Sequence, residues 1–160
     1  MSDGPLAPGE LTYTRVFDAP RELVFRCLIE PEHLTHFWGP AGVSTPLDGI
    51  RVEARPGGVF ETAMVNDADG SRYVARAVYV EIVSPERIVW REPTTGMVTT
   101  STFVDLGGSR TEVQIHQTNV PEAMQRPEAR AGFATSLDRF AAYIAALSAG
   151  PSPMDGGTSA

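Results

Sequence analysis

Histidine, cysteine and carboxylate side chains are where this chain could do chemistry, and histidine comes first because its charge changes nearest neutral pH. His33 and His36 are three residues apart, with Glu30 and Glu32 beside them, which is a spacing that can serve a metal ion. A catalytic zinc site needs a third ligand, and the remaining histidine, His116, is far along the chain. We therefore predict no metal and no cofactor, and expect exposed or capping histidines.

His116 lies in a run with strand-like alternation. Alternation places Val113, Ile115 and Gln117 on one face and Gln114 and His116 on the other. If Val113 and Ile115 face the core, His116 faces solvent. A register change by one residue would turn His116 inward, where it could act as a base near neutral pH.

Cys27 is the only cysteine, so no disulfide can form within the chain. It comes late in a predicted helix and has apolar neighbours, whereas a catalytic thiol needs an activating histidine or a helix N-terminus. The sequence therefore predicts a buried, structural cysteine.

Further acid or base groups could come from strand residues that face a cavity. Glu61, Tyr73, Tyr79 and Glu81 are candidates, but no pair among them has a spacing that identifies it as catalytic. Catalytic residues are therefore left unassigned, and whether the protein is an enzyme stays open.

The run 55–58, Arg-Pro-Gly-Gly, could form an anion-binding nest, but glycine and proline are also what a tight turn requires.

The elements that must position these groups are read from periodicity and turn residues. Strand patterns occur at residues 11–17, 43–53 (interrupted around Asp48-Gly49), 59–65, 73–83, 87–91, 97–106 and 110–118. A helix begins near Pro20 and ends before Pro31, and a second covers residues 31–38. The segment 119–130 is predicted to be a loop or first helical turn that gates a cavity, with Met124 over its mouth.

The last third of the chain predicts one long amphipathic helix. Its large apolar residues are spaced by three or four positions, at Phe133, Leu137, Phe140, Ile144 and Leu147. A single long helix against one curved sheet can leave a hollow, and hollows hold ligands.

Length and composition indicate one domain, over residues 11–148, with mobile ends at residues 1–10 and 149–160. The formal net charge is −7, and the basic residues are spread singly, which argues against nucleic-acid binding. No run approaches the roughly 18 apolar residues of a membrane span, and the N-terminus lacks a signal-peptide pattern, so we expect a cytoplasmic protein.

Five stretches in register carry a resemblance to a known family. They are TRVFDAPRELVFRCLIEPEHLTHFWGP, EARPGGVFETAM, YVEIVSPERIVW, STFVDLGGSRTEVQIHQT and GFATSLDRFAAYI, and they lie between residues 11 and 147. The chain resembles the family of homologues of the heat-shock ATPase activator (AHSA-type), within the START-like, or SRPBCC, superfamily. One departure is Phe37, where the family often has tryptophan.

The resemblance implies an α+β helix-grip fold: a curved antiparallel seven-stranded sheet around a long C-terminal helix, with two short helices after the first strand. It also implies a cavity between sheet and helix. Predicted wall residues are large inward apolar side chains, for which core packing is the alternative reading. They are Trp38, Phe60, Met64, Tyr79, Trp90, Phe103, Phe133, Leu137 and Phe140.

Three functions are compatible with this reading. Binding of a small hydrophobic or aromatic molecule in the cavity ranks first. A polyketide cyclase or aromatase-like enzyme ranks second, and an inward His, Glu or Tyr with a shifted pKa would distinguish it. A chaperone-regulating interaction module ranks third and requires an exposed apolar patch. A homodimer is compatible with exposed sheet edges.

Overall fold

A computed structural model describes residues 4–5 and 8–148 of the 160-residue chain. These residues form nine strands and four α-helices, with one 3-10 turn at Leu47–Gly49. The strands are β1 Gly4–Pro5, β2 Leu11–Phe17, β3 Val43–Ser44, β4 Ile50–Val52, β5 Val59–Asn66, β6 Arg72–Val83, β7 Arg87–Arg91, β8 Val98–Gly107 and β9 Arg110–Thr118. The helices are α1 Arg21–Cys27, α2 Pro31–Leu34, α3 Glu122–Gln125 and α4 Pro127–Ser148.

The strands form one antiparallel sheet in the order β1-β2-β9-β8-β7-β6-β5-β3, and β4 shares an edge of β5 with β3. The early strand β2 pairs with the last strand β9 along its whole length, from Leu11 opposite Gln117 to Phe17 opposite Thr111. One face of this sheet packs against α4. Rings of β2 contact rings of α4, with centroids 4.6 Å apart for Tyr13 and Phe133 and 4.7 Å for Phe17 and Phe140.

The predicted helix-grip architecture is confirmed, including the two short helices and the long C-terminal one. The strand count differs from the predicted seven in two places. Residues 43–53 form two short strands around the 3-10 turn, because Pro46 has no N–H for a ladder and Asp48-Gly49 favours a turn. In addition, Gly4–Pro5 pairs with the start of β2. The predicted mobile tail 149–160, and residues 1–3 and 6–7 of the predicted mobile N-terminus, lie outside the described residues.

The two short helices cover one end of the sheet. Pro20 precedes α1 and Pro31 is the first residue of α2, positions where the fixed φ of proline and its missing N–H do no harm. The start of α1 is tied to the sheet by Thr111, whose Oγ1 donates a 2.7 Å hydrogen bond to the Ala19 carbonyl. Cys27, on the inner face of α1, is completely buried.

Helix α4 buries the apolar stripe that its spacing predicts. Leu137, Phe140 and Ile144 are buried, and Phe133 and Leu147 pack partly buried against the same core. Burial of each such side chain contributes roughly 1.5–3 kcal/mol. Although α4 has 22 residues, no helix in the described part of the chain is long and apolar enough to cross a membrane.

The turn at residues 55–58 is explained by backbone geometry. Gly57 has a φ of +84°, and a Cβ at Gly58 would lie 2.0 Å from the Glu53 carbonyl oxygen. Glycine is therefore required there by close backbone approach. The Arg55 guanidinium lies 3.8 Å from the Glu53 carboxylate.

Candidate ligand-binding cavity

A cavity of about 270 Å³ lies between the sheet and the part of α4 from Phe133 to Phe140. The volume equals that of about nine water molecules at about 30 Å³ each. Most of its lining is apolar: Phe133, Leu137 and Phe140 from α4, Phe17, Val113 and Ile115 from β2 and β9, and Met64, Ala75 and Trp90 from β5 to β7, with further side chains from the loops.

Aromatic rings build one wall. Trp38 and Trp90, which are the chain's two tryptophans, both line the cavity and meet edge to face at 6.1 Å. Trp90 stacks on Phe60 with centroids 4.6 Å apart and an interplanar angle of 12°. The Trp38 indole Nε1 donates to Thr62 Oγ1 at 3.2 Å, which fixes the ring orientation. The wall is therefore rigid, apolar and suited to contact with a flat ligand.

Six of the nine predicted wall residues line the cavity, and three lie elsewhere. Those that line it are Trp38, Met64, Trp90, Phe133, Leu137 and Phe140. Phe60 and Tyr79 face the same side of the sheet but form a second layer, because Trp90 covers them. Phe103 also faces inward, but it packs edge-on against Phe25 of α1, at 5.2 Å. The ligand-binding role of the six remains a prediction.

Tyr79 has an unusual environment for a polar side chain. Its ring is 1% exposed and lies edge-on to Phe60 and Trp90. Its hydroxyl has no hydrogen-bond partner among the described residues, and burial raises the pKa of Tyr79. A buried hydroxyl without a partner lowers stability.

A strip of neutral polar groups crosses the cavity floor. Thr99 of β8 and Gln117 of β9 are paired opposite each other, and Ser101 follows two residues along β8 on the same face. The Gln117 Nε2 donates to Thr99 Oγ1 at 3.4 Å. Alternation with Val113 and Ile115 already placed Gln117 on the inner face. Nothing in the sequence signalled that Thr99 and Ser101 meet a hollow.

Two charged residues also line the cavity. Glu92 follows β7, and burial raises its pKa, opposed by a 3.4 Å hydrogen bond from Thr95 Oγ1. Arg15 of β2 lines the cavity beside Val113 and donates to the Thr14 carbonyl at 2.8 Å. Glu92 is the inward carboxyl that the enzyme hypothesis required, and the sequence reading missed it because no strand pattern reaches it.

The loop after α2 covers one side of the cavity and is hydrogen-bonded to α4. Arg139 Nη1 donates to the carbonyls of Gly39, Pro40 and Val43 at 2.8, 3.0 and 3.0 Å. Thr135 Oγ1 accepts from the Ala41 N–H at 3.0 Å. At the other side, Met124 of α3 lines the cavity, which is where the sequence placed the gate. Access to the hollow therefore depends on segments held by a few polar contacts.

The histidine pair serves a contact between helices. His33 Nδ1 lies 2.6 Å from the Tyr143 hydroxyl, His33 Nε2 lies 3.4 Å from Glu30, and His36 stacks on Tyr143 at 5.4 Å. Burial raises the pKa of Tyr143. No group of three or more metal-ligating side chains occurs in residues 4–5 and 8–148.

The other candidate groups lie outside the cavity. His116 is on the outer face with 45% of its side chain exposed, as alternation predicts, and Glu10 is 3.7 Å away. Burial raises the pKa of Cys27 to about 12, which leaves the thiol unreactive. Glu81 pairs with Arg87 at 2.8 Å, and Tyr73 is 65% exposed.

An antiparallel sheet that grips a long helix around an apolar hollow is the architecture of START-like helix-grip proteins. Residues 18–145 match the family model described as "Activator of Hsp90 ATPase homolog 1-like protein". The chain belongs to this family. A search among proteins with curated descriptions finds no significant match.

Solved structures show the same fold. A protein from Chromobacterium violaceum is 28% identical, with a TM-score of 0.77 over 86% of this chain and 98% of the other. A protein from Nitrosomonas europaea is 23% identical, with a TM-score of 0.75 over 89% and 98%. The AHSA1 protein from Silicibacter pomeroyi is 20% identical, with a TM-score of 0.72 over 86% and 99%. The last two establish likeness of fold alone.

Proposed function

We propose that the protein binds a small apolar or aromatic molecule in the cavity between the sheet and α4. The observation that carries this proposal is a hollow of about 270 Å³ whose walls are mostly apolar and include both tryptophans. Burial of apolar ligand surface would contribute about 25 cal/mol per Å². Dense packing is the rule for protein interiors, so a hollow of this size calls for an occupant.

The volume restricts the ligand to something small. Space for about nine water molecules matches a bicyclic aromatic compound better than a lipid with two long chains. The paired tryptophan walls favour a flat molecule. We therefore take naphthalene derivatives as first probes.

Filling the cavity tests the proposal. Native mass spectrometry of the purified protein would reveal a copurified ligand, and equilibrium dialysis with 2-naphthol would measure affinity. Ser136 lines the cavity, whereas Ala145 is exposed on the same helix, so Ser136→Leu and Ala145→Leu are matched. We expect Ser136→Leu to abolish 2-naphthol binding and Ala145→Leu to leave it unchanged. Equal affinities in the two variants would place binding elsewhere, and absence of binding to the unaltered protein would refute the proposal.

Catalysis in the same cavity is the second candidate, supported by Glu92. A carboxyl that lines an apolar hollow, and whose pKa is raised by burial, is suited to accept or donate a proton. The test is proton–deuterium exchange at the carbon next to the carbonyl of 2-tetralone, followed by NMR. Exchange that is accelerated by the protein and lost in Glu92→Gln, with retained binding, would support an enzyme. Exchange equal to that in buffer would remove this candidate.

Regulation of a chaperone ATPase, which the family description suggests, ranks third. Such a role needs an apolar docking patch. The exposed large apolar side chains among the described residues are spread over β2, the 3-10 turn, β6 and β8, and β6 alone carries more than one.

A further inference from the structure

The polar strip on the cavity floor has hydrogen-bonding capacity that the protein does not use. Thr99, Ser101 and Gln117 are only 5%, 7% and 4% exposed. In residues 4–5 and 8–148, the one side-chain hydrogen bond of the strip is the 3.4 Å contact from Gln117 to Thr99. The Gln117 carbonyl oxygen, one of its amide hydrogens and the Ser101 hydroxyl therefore have no partner among the described residues.

These groups lie where a ligand would lie. All three line the cavity, and the paired strands hold Thr99 and Gln117 side by side, with Ser101 about 7 Å further along β8. A ligand group that pairs with them gains hydrogen bonds that the protein itself does not make. The strip offers donors and acceptors together, because an amide and two hydroxyls can do both.

The strip itself is neutral, and it lies between one acidic and one basic residue of the cavity lining. Glu92 lies near the Thr99–Gln117 end of the strip: its N–H bonds to the carbonyl of Met97, two residues before Thr99. Arg15 lies near the other end: it is opposite Val113, two residues before Ile115, which pairs with Ser101. The strip therefore favours a neutral group, and the formal net charge of −7 disfavours an anionic ligand.

We propose that Thr99, Ser101 and Gln117 bind a neutral hydrogen-bonding group, a hydroxyl or a carbonyl, on an otherwise apolar ring ligand. This inference rests on the proposed function and narrows its ligand class. The aromatic wall holds the ring, and the strip fixes the direction in which the ring points.

Three naphthalenes of nearly one shape test this inference by equilibrium dialysis at pH 7: 2-naphthol, 2-methylnaphthalene and 2-naphthoate. The quantity of interest is the ratio of the dissociation constants of 2-naphthol and 2-methylnaphthalene. Comparing this ratio between variants cancels the intrinsic difference in hydrophobicity. We expect 2-naphthoate to bind most weakly.

The chain offers a matched control on the same two strands. Thr99→Val with Gln117→Leu removes the inward pair, and Thr100→Val with Gln114→Leu removes the same residue types from the outer face. We expect the inward double variant to shift the ratio against 2-naphthol by about fivefold to tenfold, the size of one neutral hydrogen bond. The outer double variant should leave it unchanged. If the inward double variant does not fold, Thr99→Val alone serves, since valine has nearly the shape of threonine.

The outcomes separate this inference from the proposed function. A ratio that is unchanged in the inward variant, with all probes still bound, overturns the inference and leaves the cavity function standing. Tighter binding of 2-naphthoate than of 2-naphthol overturns the neutral class in favour of an anion. Binding of no probe refutes the proposed function and this inference with it.

Discussion

One apolar stripe runs along α4, but its first half lines the cavity and its second half packs into a filled core. From Phe133 to Phe140 the helix faces a hollow, opposite small inward side chains such as Ala75 and Ser101. Further along, Tyr143 contacts the rings of α2 and its loop, and Ile144 is fully buried outside the cavity lining. The comparison teaches that a hollow remains where small inward side chains of the sheet face the helix and loop residues lie only around it. Where the short helices add side chains, the space is filled.

The largest expected effect is on the free energy of unfolding when one apolar side chain from each half of α4 is replaced by alanine. Ile144→Ala should lower the free energy of unfolding by about 4 kcal/mol, because a fully packed side chain leaves a new cavity. Leu137→Ala should cost only about 2 kcal/mol, because part of its surface already faces empty space. Urea denaturation measures both, and dialysis with 2-naphthol should show a change only for Leu137→Ala. Equal losses of stability, with equal effects on affinity, would abolish the distinction.

Two tyrosines, the partly buried Tyr143 and the buried Tyr79, sharpen the comparison because their substitutions should change stability in opposite directions. Tyr143→Phe removes the 2.6 Å contact with His33 in the filled half and should destabilise the protein by about 1 kcal/mol. Tyr79→Phe removes a buried hydroxyl that has no partner among the described residues, and should stabilise it by about 1 kcal/mol. Thermal and urea unfolding of both variants check the signs. A loss of stability in Tyr79→Phe would mean that this hydroxyl has a partner after all, such as water.

The smallest expected effect is the contribution of Glu92 to the pH dependence of stability. Burial raises the pKa of Glu92, so its contribution favours the folded state below the ordinary carboxyl range, near pH 4, and is lost as pH rises through the raised value. Glu92→Gln should therefore be more stable than the unaltered protein at neutral pH, and the difference should disappear in acid. The measurement is urea unfolding between pH 3 and pH 8, on the order of the carboxyl titration range.

Glu81 provides the matched opposite case on the sheet surface. Its hydrogen bond from Arg87 lowers the pKa of Glu81, so that contribution is present above the ordinary range and lost as pH falls through the lowered value. Glu81→Gln should be less stable at neutral pH and equal in acid. The same direction of change in both variants would contradict the assigned environments.

Much of the fold could be predicted because its signals are local. The spacing of Leu137, Phe140 and Ile144 follows from the 3.6-residue period of a helix, and Gln117 joins Val113 by the two-residue period of a strand. Phe103 shows the limit of this reasoning. Its inward direction follows from alternation, but α1, which is remote in sequence, decided that it meets Phe25 instead of the hollow.

The sequence by itself determined the order of the main strands and helices, the apolar stripe of α4, the burial of Cys27 and the family. Only the tertiary structure decided which inward residues border the hollow, that Trp90 covers Phe60, and that Glu92, Thr99 and Ser101 reach the cavity. The physical reason is that periodicity is a property of one chain segment, whereas a cavity is the space left after side chains from many segments have packed together. That remainder depends on volumes and crossing positions that no single stretch of sequence contains.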